Sequence, residues 1–179
     1  LPLTKTEMLS SSFSFDAIIE YSFESGGIER VSARKMLENN DYVIWTEGPT
    51  ATTLVLSDHS TERKYDIGND QHRSIRPIFH VTFWKELNEY SVRYISENTN
   101  TLSLQDQSYD LKLFLGSSKT LIYGKNNIFH QARTIWTKRF SSFVEPRINL
   151  NHNINYLVRT NSIPYFDTNR KISENAIST

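Results

Sequence analysis

The amino-acid sequence predicts an all-β protein, a mostly antiparallel β-sandwich, and three observations carry that expectation. Segments that alternate apolar and polar residues recur along the chain with turn signals between them, which is the pattern of a sandwich or barrel. The chain has 10 Phe, 9 Tyr and 3 Trp and is rich in Thr, whereas Ala is scarce and no long stretch spaces apolar residues at helical intervals. The third observation is the stretch Ser74 to Asn98, which reads as two strands folded back on each other. With Lys85-Glu86-Leu87-Asn88 as the loop, antiparallel pairing sets Phe83 opposite Tyr90, Val81 opposite Val92 and Phe79 opposite Tyr94. The same register brings Thr82 opposite Ser91, His80 opposite Arg93 and Arg76 opposite Glu97, so one face is apolar and the other almost wholly polar. A slip of one residue would place apolar opposite polar at every step, so the pattern specifies the register.

Taken in order, residues 1–12 are Ser/Thr-rich and read as a loosely held lead-in. Phe15, Ala17, Ile19, Tyr21 and Phe23 alternate with polar residues as a half-buried strand, closed by the turn Ser25-Gly26-Gly27. Ile28 to Leu37 fits no single period and is taken as strand. Asn39-Asn40-Asp41 is turn chemistry, and Tyr42 to Thr46 is a short strand that must stop at Gly48-Pro49, since proline cannot donate to a central ladder. Thr50 to Ser57 has high β propensity on both faces. Asp58 to Gln71 is polar, with a short strand expected at Glu62 to Tyr65 and a turn at Gly68-Asn69-Asp70. After the hairpin, Tyr109, Leu111, Leu113 and Leu115 mark an amphipathic strand, Gly116 to Lys119 a turn, and Thr120 to Tyr123 the return. A further turn is expected at Gly124 to Asn127, and a strand containing Trp136 between Phe129 and Phe140. Beyond Pro146 the pattern changes, and Asn149 to Thr160 suits a short helix or an irregular return. The expected organisation is thus a lead-in at 1–12, a β-sandwich over 13–148, and a connection toward a following domain or tail over 149–179.

At 179 residues the chain is long enough for one well-buried domain. Basic and acidic side chains balance at 20 each, so no net field draws it to nucleic acid or an anionic membrane. The distribution is uneven: residues 1–124 carry 12 basic and 17 acidic side chains, and 125–171 carry 8 basic and 2 acidic. That basic part suits an acidic polysaccharide or phosphate, or else cations that pair with the acidic remainder or face a following domain. The absence of Cys rules out disulfides and thiolate metal sites and is compatible with the cytoplasm or with a secreted bacterial protein. No run of about 18 apolar residues is present, Leu1 to Lys5 does not begin a signal peptide, and the chain reads as a fragment.

Asp58-His59-Ser60 collects the residue types of a hydrolase triad, but adjacent residues cannot adopt the relay geometry, so a polar turn is expected. The histidines at 59, 72, 80, 130 and 152 show no spacing that would aim two imidazoles at one metal, and no metal or cofactor is expected. Glu47, Asp58, Asp66 and Glu97 are available as carboxylates without a spacing that pairs them. A Gly-rich phosphate loop is absent. The most suggestive constellation is the polar face of the hairpin: Arg76, His80, Thr82 and Trp84 beside Ser91, Arg93 and Glu97. An indole beside a few hydrogen-bonding groups suits a sugar, which has a polar rim and an apolar face. On this reading Trp84 stacks, Arg93 and His80 donate, and Glu97 accepts while holding Arg76. The alternative is a solvated sheet face with an Arg76–Glu97 salt bridge.

Several stretches resemble counterparts in a group of large, mostly uncharacterised bacterial multidomain proteins: Trp45-Thr46-Glu47-Gly48-Pro49, Asp58-His59-Ser60, Tyr65 to Gly68, Arg76 to Trp84, Glu97 to Asn100 and Trp136-Thr137-Lys138. In that group the region looks like an N-terminal β-sandwich module leading into further domains. The layout is also similar to the supersandwich modules that accompany polysaccharide lyases, including exo-acting rhamnogalacturonan lyases. The resemblance implies a noncatalytic accessory module of a larger, extracytoplasmic protein, with carbohydrate and the following domains of the same polypeptide as partners. Two alternatives remain: an incomplete carbohydrate-active enzyme with its catalytic parts downstream, and a purely structural surface module. No catalytic residues are carried over.

Overall fold

The computed structural model describes residues 1–98 and 105–143. In chain order the elements are α1 (Lys5–Met8), β1 (Ala17–Phe23), β2 (Ile28–Ser32), α2 (Ala33–Glu38), β3 (Tyr42–Glu47), β4 (Ala51–Leu56), β5 (Ile75–Trp84), β6 (Glu89–Asn98), β7 (Gln107–Leu115), β8 (Thr120–His130) and β9 (Thr134–Ser141). The strands form two antiparallel sheets, a four-stranded one ordered β2-β1-β7-β8 and a five-stranded one ordered β3-β4-β5-β6-β9. This is the expected all-β, sandwich-like architecture.

The β5–β6 hairpin pairs in the register read from its pattern, with Phe83 opposite Tyr90, Val81 opposite Val92 and Phe79 opposite Tyr94. All six of these side chains are buried, and both strands alternate buried and less buried residues along their length. β4 extends the rows by placing Leu54 beside Val81 and Leu56 beside Phe79. The inner face of the other sheet meets these residues. Phe15 packs edge-on against Phe83 at 4.8 Å and Tyr90 at 5.0 Å between ring centres, and the Tyr21 hydroxyl meets that of Tyr94, while within its own sheet Tyr21 packs against Tyr109 at 4.7 Å. Edge-to-face geometry suits the ring quadrupoles and adds to the area buried.

Four segments depart from expectation, each for an identifiable reason. The lead-in at 1–12 contributes to the core: Thr4 and Glu7 form a capping box that starts α1, and Leu3 and Met8 are buried. Lys5 Nζ fastens this turn to the end of α2 by donating to the Glu38 carbonyl at 2.8 Å and to Asn40 Oδ1 at 2.7 Å. Ile28 to Leu37 fits no single period because it is two elements. The switch lies at Ser32, whose hydroxyl accepts from the Lys35 N–H and donates to the buried Asp16 carboxylate. Glu62 to Tyr65 forms no strand; the loop is built around Asp58 and Asp66 instead. The expected turn at Gly124 to Asn127 is a bulge inside β8. Ile128 faces Tyr109 and Lys125 faces Leu111, so β8 carries one residue more than β7 at that point. Asn127 takes φ +53 and donates its N–H to Asp110 Oδ1 at 2.8 Å. Positive-φ Asn signals a bulge as readily as a turn. The reversal comes at Gln131 to Arg133, and β9 then supplies the strand expected around Trp136. The connection expected over 149–179 lies outside the described residues, as does the end of the sandwich expected at 148.

A chain of polar groups crosses the interior between β7, β8 and β9. His130 Nε2 lies 3.0 Å from the Thr134 carbonyl, which can only accept, so Nε2 carries the proton. Nδ1 then accepts from the Tyr109 hydroxyl at 3.0 Å, and that oxygen accepts the Trp136 indole N–H at 2.8 Å. Nearby, the Tyr21 hydroxyl bonds those of Tyr94 and Ser96. Burial pushes the His130 imidazole below its ordinary value, and the Thr134 carbonyl only partly opposes this.

Two predictions follow from the packing. Phe79→Ala should lower unfolding free energy by about 3–5 kcal/mol through the cavity it leaves. Thr82→Ala, which loses only the 2.9 Å hydroxyl contact with Thr53, should cost about 1 kcal/mol or less. Urea midpoints decide the matter, and equal losses would mean that the two faces are equally packed. For His130, the unfolded chain takes up a proton near pH 6.5 and the folded chain only at lower pH. Its contribution is therefore present above about pH 6.5 and lost as pH falls from there through the lower folded-state value. His130→Gln should flatten the decline in stability between pH 7 and 5 measured by thermal melts; an unchanged slope would remove His130 from the acid response.

Candidate functional site

Period-two alternation turns Arg76, Ile78, His80, Thr82 and Trp84 of β5, and Glu89, Ser91, Arg93, Ile95 and Glu97 of β6, toward the outer face of the five-stranded sheet. The strand registers align them in rows. One row runs Val43, Val55, His80, Arg93, Arg139 across β3, β4, β5, β6 and β9. Next to it runs a hydroxyl row, Thr46, Thr53, Thr82, Ser91, Ser141. On the other side Ile78 pairs with Ile95, so the face is less wholly polar than its remaining pairs imply.

The five residues singled out from the sequence share this face but do not converge. His80 and Arg93 are direct partners at its centre. Trp84 lies four residues along β5, about 13 Å away, and Arg76 with Glu97 lie as far in the other direction. Arg76 is turned toward the loop, where Nε lies 3.5 Å from Asp66 Oδ1, and among the described residues no ion pair links it to Glu97. Asp66 is buried between Arg76 and Arg63, whose Nε lies 2.5 Å away. Burial nevertheless raises its pKa, outweighing Arg63 and Arg76. Trp84 is half-buried, edge-on to Phe143 at 5.7 Å.

The indole that stands free is Trp45, with 69 % of its surface exposed. β3 shifts register between Ile44 and Thr46, and this bulge carries Trp45 outside the ladder. From there its ring reaches across β4 to His80, with ring centres 5.9 Å apart and planes tilted by 32°. His80 is held below the ordinary imidazole value, first by burial and then by the Arg93 guanidinium. It is therefore a neutral hydrogen-bonding group at pH 7. Arg139 completes the row, and both it and Arg93 are exposed. Sequence reasoning missed Trp45 and Arg139. The WTEGP stretch signalled that β3 ends near Trp45, but the bulge that exposes the indole has no sequence mark, and Arg139 reaches the row only through pairing of β6 with β9.

The remaining candidates are occupied in other ways. Asp58 Oδ1 accepts the Ser60 N–H at 2.9 Å and the Ser60 hydroxyl at 2.6 Å, and Oδ2 accepts the Lys64 N–H at 2.5 Å. These bonds hold the Asp58 carboxylate ionised and close a turn. His59 approaches Ser57 and the Val55 carbonyl, each at 3.4 Å. Among the described residues no group of three His, Asp or Glu gathers as metal ligands. A shallow cavity of about 440 Å³ opens at one end of the sandwich beside Phe13, Tyr90, Ser118, Thr120, Ser142 and Phe143. Several of its hydroxyls already have partners: Ser142 bonds Glu89 and the Tyr90 N–H, and Ser118 bonds Thr120.

Comparison with known proteins finds no family model that fits the chain and no curated protein or solved structure that matches it. The outer sheet face is thus read on its own geometry: an exposed aromatic plate, a neutral imidazole, two guanidiniums and a row of hydroxyls.

Because desolvation contributes more than Arg93 to the His80 shift, NMR titration should place its imidazole below 6.5 in wild type. Arg93→Gln should move it only part of the way back; full recovery would make the guanidinium the dominant cause.

Proposed function

We propose that this chain is a noncatalytic β-sandwich module of a larger extracytoplasmic protein, and that it binds carbohydrate on the outer face of its five-stranded sheet. The observation that carries this reading is Trp45, a largely exposed indole held against His80 beside a row of hydroxyls. A sugar ring offers an apolar face of axial C–H groups and a rim of hydroxyls. The indole suits the first, and His80, Thr53, Thr82 and Ser91 suit the second. The site is centred on Trp45, His80 and Arg93; Trp84 lies at its far end. The resemblance to modules accompanying polysaccharide lyases points the same way.

One observation favours a second reading, that of a structural module. Val43, in the outer row with Val55, is about half exposed beside Trp45, at 51 %, and the two form an apolar patch at the sheet edge that another domain of the same polypeptide would cover.

Titration of neutral and acidic polysaccharides against wild type and single variants separates the two. A stacking contribution near 1.5 kcal/mol corresponds to slightly more than tenfold in affinity. Trp45→Ala should therefore weaken glycan binding by about tenfold with thermal stability unchanged, and Trp84→Ala should weaken it less. Wild type that binds no glycan would leave the structural module as the reading.

A further inference from the structure

Arg93 and Arg139 face each other across β6 and β9, with His80 on the far side of Arg93 in the same row. Neighbouring strands lie about 4.8 Å apart, and like charges directly opposite each other destabilise a sheet. Elsewhere the domain pairs its cations as they fall beside carboxylates: Arg30 and Lys112 on Glu20, Arg63 on Asp66, Arg73 on Glu29 and Lys64 on Asp41. Among the described residues no carboxylate pairs with Arg93 or Arg139, and both side chains are exposed. The acids of the same face on β6, Glu89 and Glu97, are each four residues from Arg93, about 13 Å along the strand.

We infer that the Arg93–Arg139 pair is the binding site for an oxyanion carried by the ligand, and that the ligand is an acidic polysaccharide lying across the strands from Arg139 to Trp45. A planar guanidinium presents parallel N–H donors that match a carboxylate or sulfate, and two of them on adjacent strands bracket one such group from both sides. The bound anion removes the repulsion between the arginines, which gives the ligand's charge a larger effect than a single surface cation would. From Arg93, the row continues over His80, which donates or accepts as a neutral imidazole, to the Trp45 indole. Charge complementarity sets the chemical class, and the direction of the row sets the orientation. The inference rests on the carbohydrate-binding reading for the Trp45 end and on the arginine pair for the anion.

The test measures affinities of the whole chain for hyaluronan and polygalacturonate, which carry carboxylates, dextran sulfate, which carries sulfate, and neutral dextran. The variants are Arg93→Gln, Arg139→Gln, Trp45→Ala and, as a control for net charge, Lys119→Gln in the β7–β8 turn. Wild type should bind at least one acidic polymer tenfold or more tighter than dextran, with affinity falling as salt rises. Each arginine variant should lose at least fivefold, and Lys119→Gln should lose nothing. Both arginine variants should melt at or above the wild-type temperature, since they relieve repulsion, which separates loss of the site from loss of the fold. The preferred polymer distinguishes carboxylate from sulfate. Equal affinity for neutral and acidic polymers, or equal losses in the arginine and lysine variants, overturns the anion site. Glycan binding that depends on Trp45 alone overturns the anion site and leaves the carbohydrate reading standing. Binding of acidic polymers that depends on the arginines but not on Trp45 keeps the anion site and removes the sugar-stacking role. No binding to any polymer overturns both.

Discussion

The structure depends on the facing of Phe79, Val81 and Phe83 with Tyr94, Val92 and Tyr90 along the β5–β6 hairpin. These six buried side chains fix which face of the sheet is inside, and the neighbouring strands inherit that choice through their registers. Leu54 and Leu56 of β4 fall in line on one side, and Phe140 and Lys138 of β9 on the other. The outer rows are set by the same registers. His80 meets Arg93, and Arg93 meets Arg139, because the residues one step away on each strand are committed to the core.

Much of this was legible in the sequence where pairing is local. The hairpin register followed from alternation, and so did the facing of β1 and β7, whose Ile19, Tyr21, Leu111 and Leu113 are all buried. Legibility failed where two signals overlap or where partners are distant. Ile28 to Leu37 mixes a strand and a helix, and only the Ser32 cap marks the change of period. In β8 the Gly124 to Asn127 stretch carries turn chemistry but spends it on a bulge, because β7 continues opposite. The first twelve residues are polar in composition, yet Leu3 and Met8 supply core contacts that composition does not reveal.

The candidate site divides along the same line. His80 and Arg93 were placed together by the hairpin's own pattern, whereas Trp84, Arg76 and Glu97 share the face without reaching that centre. Trp45 and Arg139 join it from β3 and β9, at opposite edges of the sheet, and no local pattern in either strand announces the arrival. Trp84 ends its strand beside the charged Lys85-Glu86, a position that core packing explains poorly and that suggests exposure. Phe143 covers it, while the bulge in β3 exposes Trp45 instead. A core can be read from periodicity because burial repeats along each strand. A site assembled across strands depends on relative register, which the periodicity of one strand does not contain.

The interleaving of the two sheets also bears on how the chain reaches this structure. β1 pairs with β7, placing Ile19 opposite Leu113, and the five-stranded sheet's β3, β4, β5 and β6 all lie between them in sequence. The β5–β6 hairpin closes a four-residue loop, whereas the centre of the four-stranded sheet closes one of roughly ninety residues, at a larger entropic cost. Local pairings form sooner than distant ones when closure limits the rate. On that ordering the hairpin is the template, and the β1–β7 pairing completes the fold by seating Phe15 and Tyr21 on an aromatic surface already assembled. During synthesis β1 can pair at once with β2, while its other edge waits for β7, made much later.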